Sequence, residues 1–323
     1  IISDETIFAI YGAKVKDALG DGGFKANYYT VPPGETSKSI EHVARIYDFL
    51  VGHRVERKDV IVALGGGMIG DLAGFVAATF LRGLSLVHIP TSLVAMADAS
   101  IGGKVAVNHP KGKNLIGAFY QPRLVLADVR TLETLPKREL VSGWSEVIKH
   151  GLVLDAGLLA FLESNVDKLT SLTPDAVSKA VSWSMRSKAE VVTQDEKETG
   201  KRIVLNYGHT IGHGIEAATK FERFLHGEAV AIGMVGAAKL SNRLGHLSQH
   251  GVARHEEILR KYGLPTNCSG LKLEDVLAAM KSDKKIRSKA IRWVLLEDIG
   301  RVMVKDDVPW EQVVKTAQEV IVA

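Results

Sequence analysis

In the first half of the chain, segments with helical spacing of apolar residues alternate with short apolar runs typical of strands. Stripes of apolar residues every three or four positions predict helices over residues 4–19 and 37–51. Short apolar runs predict buried strands, and these runs cover residues 26–31, 59–64, 84–89 and 123–128. Strands that alternate with helices are typical of a doubly wound parallel sheet, so the pattern predicts an α/β domain.

The second half of the chain changes to an almost entirely helical pattern after about Pro136. A short β-hairpin is predicted late in the chain, from residues 291–296 to residues 301–304. The change of pattern predicts two domains, an α/β domain over residues 1–132 and a helical domain over residues 133–323.

The composition is that of an ordinary globular protein, with 46% hydrophobic and 24% charged residues among 323. No apolar run is long enough to span a bilayer and no secretory signal opens the chain, so we expect a cytoplasmic protein without a membrane partner. The chain begins at Ile1 rather than Met, which leaves a removed targeting segment as an alternative. Cys268 is the only cysteine, which excludes an internal disulfide and a cysteine-based zinc site.

The formal net charge is +4, and lysines and arginines are scattered among acidic residues. A nucleic-acid-binding protein would concentrate its basic residues on one face, so we expect no nucleic-acid partner. A modest positive balance suits a small anionic substrate, although a charge of this size is also common without any anionic partner.

A glycine-rich turn follows the predicted strand over residues 59–64. Glycines occupy residues 65–67, and Gly70 and Asp71 follow as a helix begins. Glycines in a strand-to-helix turn let the backbone approach a phosphate group, and the helix N-terminus supplies N–H donors. The spacing differs from the usual dinucleotide-binding fingerprint. The turn therefore predicts nucleotide binding, with an ordinary tight turn as the alternative.

Polar residues cluster where a plain scaffold would not require them. Thr91 and Ser92 follow the strand over residues 84–89, and Asp98 follows shortly after. Lys104, Lys113 and Asn114 lie on segments that read as glycine-rich loops. Lysine and asparagine side chains there would bind phosphate or carboxylate, although each lysine alone also reads as a surface charge.

Histidines and glycines crowd one segment of the helical half. His209 and His213 are four residues apart, so a helix places both on one face, and His226 follows. The spacing predicts a metal site. The alternative is a glycine-containing core helix with two ordinary histidines. Glu146 and Lys149, three residues apart on another predicted helix, form either a helical ion pair or part of the site. Glu146 with two histidines would complete a set that zinc uses in catalysis.

Motifs along nearly the whole chain together resemble the 3-dehydroquinate synthase family of sugar phosphate cyclases. They lie in order at residues 33–38, 65–71, 82–83, 90–92, 98–104, 112–117, 146–149, 206–209 and 226–228. The resemblance implies a Rossmann-like nucleotide-binding domain followed by a mostly α-helical metal-binding domain. That fold is shared with glycerol dehydrogenase-like enzymes.

The resemblance also implies ligand and substrate contacts. A divalent metal, Zn²⁺ with Co²⁺ as the alternative, would be bound by Glu146, His209 and His226, so that His213 is not a ligand. NAD contacts map to Glu35, Lys38, Gly66, Gly67, Asp71, Thr91, Ser92, Lys113, Thr131 and Thr134. Substrate contacts map to Arg82, Asp98, Lys104, Asn114, Lys149, Lys188, Arg202, Asn206 and one of Lys284 and Lys285. Catalytic roles map to Asp98, Lys149, Glu198 and His213.

The implied reaction converts a small sugar-acid phosphate, 3-deoxy-arabino-heptulosonate 7-phosphate, to 3-dehydroquinate and phosphate. It proceeds by transient oxidation with NAD, phosphate elimination, re-reduction and aldol closure. Arg82 matches an arginine that reaches into a neighbouring subunit's site, which implies a homodimer. Three alternatives stay open: a cyclase for another sugar phosphate, a metal-dependent polyol dehydrogenase, and a relative that only binds nucleotide.

Overall fold

A computed structural model describes residues 1–285 and 291–322, with side chains described over residues 1–281 and 291–322. The chain divides into two compact units, Ile1–Leu135 and Pro136–Ala323. The sequence pattern put its domain boundary between residues 132 and 133.

The strands of the first unit form a sheet and a separate hairpin. They are β1 (Ile2–Asp4), β2 (Tyr29–Val31), β3 (Val60–Gly65), β4 (Ser85–Pro90), β5 (Lys104–His109), β6 (Gly112–Phe119) and β7 (Leu124–Val125). Within residues 1–135, all of which the structure describes, five strands form a parallel sheet in the order β2-β1-β3-β4-β7. The predicted parallel α/β architecture is confirmed.

Two predicted strands are shorter than their apolar runs. The strand predicted over residues 26–31 begins only at Tyr29, and the one predicted over residues 123–128 covers Leu124–Val125. The second strand ends where the side chain of Asp128 accepts a hydrogen bond from the backbone N–H of Arg130. That bond caps a 3₁₀ turn, which competes with continuation of the strand.

Helices cover the sheet of the first unit. They are α1 (Glu5–Ile7), α2 (Ala13–Asp21), α3 (Ile40–Gly52) and α4 (Gly67–Thr79), with a π-helical turn at Phe8–Gly12 joining α1 to α2. Helix α4 is buried along most of its length, and Leu72, Ala73 and Val76 lie in the core with the sheet residues Ile61 and Ala63. A helix apolar on most sides suits a central position, and α4 leads directly from the glycine turn.

The segment that read as glycine-rich loops is an antiparallel hairpin, so that prediction was wrong. Strand β5 pairs with β6, and Val105 and Val107 are buried against the core. A Cβ atom at Gly74 of α4 would lie 2.3 Å from Cγ1 of Val105, so the hairpin packs directly on the helix. Val105, Ala106 and Val107 are the buried residues of β5, and the polar and charged residues on either side of them interrupt the apolar pattern that would have predicted a strand.

The second unit is mainly helical, as predicted. Its helices are α5 (Lys137–Val153), α6 (Ala156–Ser164), α7 (Val166–Thr170), α8 (Pro174–Gln194), α9 (His209–Ala218), α10 (His226–Arg243), α11 (Gln249–Lys261), α12 (Leu273–Lys285) and α13 (Trp310–Val320). Helix α10 is buried almost all round and contacts α5, α9, α11 and α13. Such a helix forms the centre of a bundle because it has no polar face to offer to solvent.

Short strands accompany these helices. They are β8 (Cys268–Ser269), β9 (Trp293–Asp298), β10 (Arg301–Lys305) and β11 (Ile321–Val322). Strands β9 and β10 form the predicted late hairpin, and β8 pairs with β11 in parallel. Within residues 1–285 and 291–322, every helix is too short or too polar to cross a bilayer.

Candidate active site

Three helices of the second unit bring Glu146, His209 and His226 together. Glu146 lies in the middle of α5, whereas His209 and His226 are the first residues of α9 and α10. One ligand atom from each residue lies within 4.8 Å of the others. Two imidazoles and one carboxylate match the donor set of catalytic zinc sites, which leave a coordination position open.

The carboxylate of Glu146 is completely buried, and neither of its oxygens has a hydrogen-bond partner among the described residues. The ammonium group of Lys149, itself 1% exposed, forms an ion pair with Oε2. Oε1 lies 3.7 Å from Nε2 of His226. Lys149 therefore balances charge at Oε2 only, and a cation held between Oε1 and the imidazoles would offset the cost of burying the second oxygen without a hydrogen bond.

The surroundings shift the pKa values of the two imidazoles in opposite directions. Burial lowers the pKa of His209 well below its usual range, and the positive charge of Lys149 adds to this shift. Burial also lowers the pKa of His226, but the hydrogen bond and charge of Glu216 and the charge of Glu146 outweigh it and raise that pKa. Neutral imidazole is the form that binds metal, so His209 is already in its binding state near neutral pH.

A buried chain of hydrogen bonds fixes the backbone next to His209. Nδ1 of His209 lies 3.1 Å from the carbonyl oxygen of Tyr207, to which it donates as a neutral imidazole. The hydroxyl of Tyr207 lies 3.0 Å from Nε2 of His255, whose Nδ1 lies 2.7 Å from the carbonyl oxygen of Gly251. Burial lowers the pKa of His255 to about 4, so that imidazole is neutral and accepts from the tyrosine.

Glycines allow the helices that carry the histidines to approach closely. A Cβ atom at Gly233 of α10 would lie 1.9 Å from the carbonyl oxygen of Gly208, directly before α9. A Cβ atom at Gly227 would lie 1.9 Å from the carbonyl oxygen of Ser142 on α5. The backbones of α5, α9 and α10 therefore touch near the cluster, which accounts for glycines that helix propensity disfavours.

In the first unit, the glycine turn after β3 lies against the segment that follows β4. A Cβ atom at Gly66 would lie 3.5 Å from Oγ of Ser92, and one at Gly67 would lie 3.3 Å from Cβ of Ala99. The backbone N–H of Thr91 donates to the carbonyl oxygen of Gly65. Gly66 and Gly67 are half-buried, so part of their backbone is accessible at the N-terminus of α4, the arrangement that binds phosphate groups in nucleotide-binding folds.

A buried ion pair lies next to this turn. Nζ of Lys38, which is 4% exposed, donates to Oδ2 of Asp71 at 2.8 Å and lies 3.4 Å from Oε1 of Glu35. Nδ2 of Asn108 donates to the same Glu35 oxygen at 2.8 Å. Burial raises the pKa of Asp71, and the positive charge of Lys38 opposes that shift. Three residues predicted to contact NAD therefore form one network.

Comparison with protein families identifies the chain. The N-terminal region of 3-dehydroquinate synthase matches residues 28–142, and its C-terminal region matches residues 143–286. The chain belongs to the 3-dehydroquinate synthase family. It is an enzyme of this type, which confirms the resemblance found in the sequence motifs.

Individual relatives agree with this family over almost the full chain. A 3-dehydroquinate synthase from Crocosphaera subtropica is 46% identical over 323 residues, which cover 99% of this chain and 88% of that protein. The structure of 2-epi-5-epi-valiolone synthase from Streptomyces hygroscopicus subsp. jinggangensis, with NAD⁺ and Zn²⁺ bound, matches with a TM-score of 0.90 and 27% identity. A 2-deoxy-scyllo-inosose synthase complexed with carbaglucose-6-phosphate, NAD⁺ and Co²⁺ also gives 0.90, at 28% identity. Both structural matches cover 99% of this chain and 89% of the other.

In this member of the 3-dehydroquinate synthase family, most of the other predicted residues of the second unit lie on α8, on the segment that follows it and on α9. Lys188 is buried on α8, and Arg202 is buried in a 3₁₀ turn at Lys201–Asn206. Nδ2 of Asn206, which ends that turn, donates to Oε1 of Glu198 at 2.8 Å. The ring of His213, an exposed residue one turn along α9, lies 5.2 Å from the ring of His209.

The other predicted residues of the first unit are more dispersed. Asp98 is half-buried in a π-helical turn, while Lys104, Lys113 and Asn114 are exposed on the hairpin. Arg82 is exposed at the end of the α4 segment, with a left-handed φ of 68°. Thr131 and Thr134 lie together in a 3₁₀ turn, where the hydroxyl of Tyr11 contacts Oγ1 of Thr134 at 2.6 Å. In the second unit, Lys284 and Lys285 end α12, and their side chains lie outside the described residues.

The sequence analysis assigned no role to three acidic residues that shape the site. Glu216 contacts His226, and Glu228 accepts two hydrogen bonds from Arg138, so that α5 is tied to the first turn of α10. Asp195 accepts hydrogen bonds from backbone N–H groups later in its own loop. The seven-residue spacing from His209 to Glu216 places both residues on one helix face, so the sequence could have indicated Glu216. The contacts of Asp195 depend on loop conformation, which the sequence does not indicate.

Asp195 organises the loop that carries Glu198 and Arg202. Hydrogen bonds from the backbone N–H groups of Arg202 and Thr199 lower the pKa of Asp195 from 3.8 to about 2. Because the pKa is depressed in the folded protein, this stabilisation is complete above pH about 4 and is lost as the pH falls toward about 2. We expect amide protection at Thr199, Gly200 and Arg202 to fall over this range.

Hydrogen exchange, corrected for the intrinsic rate at each pH, measures this protection. Asp195→Ala should remove the protection at every pH, whereas Glu190→Ala, which removes an exposed acid from the preceding helix, should leave it unchanged. Protection that stays constant from about pH 5 down to about pH 2, a range that includes both pKa values, would contradict the role of Asp195.

Proposed function

We propose that this chain converts 3-deoxy-arabino-heptulosonate 7-phosphate to 3-dehydroquinate and phosphate, with NAD and a divalent metal as its cofactors. The observation that carries the proposal is the cluster of Glu146, His209 and His226 in a chain of this family. Its buried carboxylate without hydrogen bonds fits a metal ion. Neighbours of the same fold that bind NAD⁺ with Zn²⁺ or Co²⁺ support the cofactors.

Buried cations in the second unit support an anionic substrate rather than a neutral polyol. Lys149, Lys188 and Arg202 are each no more than 5% exposed. The proposed substrate carries a carboxylate and a phosphate, which such residues recognise through charge and directed N–H donors.

The proposed division of labour follows from where the residues lie. When bound, the metal would polarise a substrate hydroxyl and NAD would accept and return a hydride. Lys149, held next to Glu146, contributes positive charge beside that hydroxyl, and His213 and Glu198 accept or donate protons. Asn206 holds Glu198 by its 2.8 Å hydrogen bond, which keeps this carboxylate in one orientation. Once the substrate is held in one conformer, its reacting atoms need to move little for elimination and ring closure.

The glycine turn and the Lys38 network support a nucleotide in the first unit. The backbone of residues 65–67 at the N-terminus of α4 would bind the pyrophosphate. Glu35 and Asp71 would accept hydrogen bonds from ribose hydroxyls, since carboxylates beside such turns serve this purpose in nucleotide-binding folds. Lys38 holds both carboxylates in place from a buried position.

Phosphate release from the heptulosonate phosphate, measured while NADH absorbance is followed, tests the function. We expect release that requires both NAD and zinc, dehydroquinate as the product, and no lasting NADH. Glucose 6-phosphate, which lacks the carboxylate, is the control substrate and should not react. Steady NADH formation from a polyol without phosphate release would place the chain among the dehydrogenases, and carbocycle formation from glucose 6-phosphate would assign it to another cyclase.

We further propose that the enzyme acts in the cytoplasm as a homodimer in which Arg82 reaches the neighbouring site. Arg82 is exposed, and the adjacent Leu81, also in a left-handed conformation, exposes 39% of its surface. An exposed leucine next to a cation suits the edge of an interface between copies of the chain.

Mixing two inactive variants tests the exchange of Arg82. Arg82→Ala and Glu146→Gln chains should each be nearly inactive, but a mixed dimer contains one site with both residues intact. After unfolding and refolding together, we expect roughly a quarter of the parental activity per chain, because half the dimers of a two-fold assembly are mixed. Absence of any recovery in dimers shown to be mixed would contradict a shared site.

A further inference from the structure

The imidazole of His226 lies between two carboxylates on different helices. Its Nε2 is 3.7 Å from Oε1 of Glu146, and its Nδ1 is 3.4 Å from Oε1 of Glu216. Glu216 is 7% exposed and lies on α9. One nitrogen of this ring therefore faces the proposed metal set, while the other faces an acid outside that set.

We propose that Glu216 is a positioning residue, which fixes the orientation and tautomer of His226 so that Nε2 is available to the metal. The proposal rests on the proposed function, since it takes Glu146, His209 and His226 as the metal ligands. A carboxylate that accepts a hydrogen bond from Nδ1–H keeps the proton on Nδ1, so that the lone pair of Nε2 would be available to the ion, and it increases the basicity of the ring.

Helix geometry gives Glu216 this position. Glu216 follows His209 by seven residues on α9, which is close to two helical turns and places both residues on one face. Helix α9 therefore supplies one ligand directly and orients a second ligand that belongs to α10. The glycine contacts between α9 and α10 hold the two helices close enough for this.

The second imidazole shows the same pattern with a different acceptor. Nδ1 of His209 faces the backbone carbonyl of Tyr207, whereas Nδ1 of His226 faces the side chain of Glu216. Both ligand rings thus have an oxygen at Nδ1. Only the acceptor of His226 is a side chain, so its contribution can be removed by a substitution.

Glu216 also belongs to an alternative group of donors. Ligand atoms of His213, Glu216 and His226 lie within 4.8 Å of one another. His213 is exposed, whereas Glu146 is fully buried with no hydrogen bond to its carboxylate among the described residues. A cation in the first set would also balance the buried Oε1 of Glu146, whereas Glu216 already faces Nδ1 of His226, so we assign Glu216 to orientation rather than to direct ligation.

Zinc affinity of the full chain, measured by competition with a chromogenic chelator in the absence of substrate and NAD, tests the assignment. We expect Glu216→Gln to weaken zinc binding about tenfold, because an acceptor remains but its charge is lost, and Glu216→Ala to weaken it about 100-fold. Glu222→Gln removes an exposed acid just beyond α9 and should bind zinc like the parent. If Glu216→Ala fails to fold, the zinc affinity of Glu216→Gln by itself tests the proposal.

Cobalt substitution adds a readout that loss of stability would not change. With Co²⁺ at saturating concentration, the visible absorption of the Glu216 variants should shift because His226 is less firmly oriented, while that of Glu222→Gln should not. Parental affinity and an unchanged spectrum in both Glu216 variants would overturn the assignment while leaving the proposed function intact. A second zinc ion that is lost in these variants would instead make Glu216 a ligand. Failure of the parent to bind zinc would end both proposals.

Discussion

Replacing Glu146 with Gln is expected to lower kcat/KM for phosphate release by about 10³-fold or more. Glutamine keeps the shape of the side chain but removes the negative charge from the metal set. Stabilisation of developing charge at such sites amounts to several kcal/mol, and a loss of about 4 kcal/mol corresponds to 10³-fold. Glu139→Gln, an exposed position on the same helix, is the control and should retain parental activity.

The same substitution leaves the ammonium group of Lys149 buried without its partner carboxylate. Removing one member of a buried ion pair costs about 3–5 kcal/mol of the free energy of unfolding, whereas replacing both members by apolar groups is often neutral. The double variant Glu146→Gln/Lys149→Met should therefore recover stability in urea denaturation but not activity. Recovery of activity with stability would show that Glu146 acts only through the fold, and full zinc affinity in Glu146→Gln would remove it from the metal set.

Gly233→Ala is expected to lower the free energy of unfolding strongly for the addition of one methyl group. The added methyl carbon would lie 1.9 Å from the carbonyl oxygen of Gly208, a backbone atom that cannot rotate away. Overpacking of a core typically costs about 1–3 kcal/mol, and contact with backbone places this variant at about 3 kcal/mol. Because Gly208 directly precedes His209, we also expect zinc affinity to fall.

Gly236→Ala is the matched control, three residues further along α10. Its added methyl carbon would lie 2.5 Å from Cδ1 of Ile211, the flexible end of a side chain. Alanine gains about 1 kcal/mol of helix propensity over glycine at both positions, so this variant should be close to neutral. Urea denaturation of both variants, with zinc affinity measured alongside, checks the prediction. Equal free energies of unfolding would show that α9 and α10 separate easily.

The apolar pattern of the sequence predicts the central part of the fold well. Strand β3 is buried on both faces of a parallel sheet, so it reads as a continuous apolar run. Strand β4 alternates buried and half-buried positions, and its apolar residues still outnumber the polar ones. The hairpin of β5 and β6 was missed because one face of β6 is exposed and charged residues interrupt its pattern. Its packing on Gly74 depends on a tertiary contact that local sequence does not encode.

Prediction of the candidate site shows a similar division. Helical spacing paired His209 with His213, and Glu146 was considered as a third ligand, but only the resemblance replaced His213 with His226 in the ligand set. In the structure those three residues do lie together. Glu216 and Asp195 were not identified because the value of a carboxylate depends on which N–H group faces it, and loop conformation and helix packing decide that.

All three proposed metal ligands come from residues after the division at Pro136, while the glycine turn and the Lys38 network come from residues before it. Zinc release during heating would therefore act as a built-in reporter for melting of the second unit alone. Loss of fluorescence from a bound nucleotide analogue would report on the first unit in the same sample. The two bound ligands would therefore serve as separate probes, and the order in which the two units melt could be followed without a label attached to the chain.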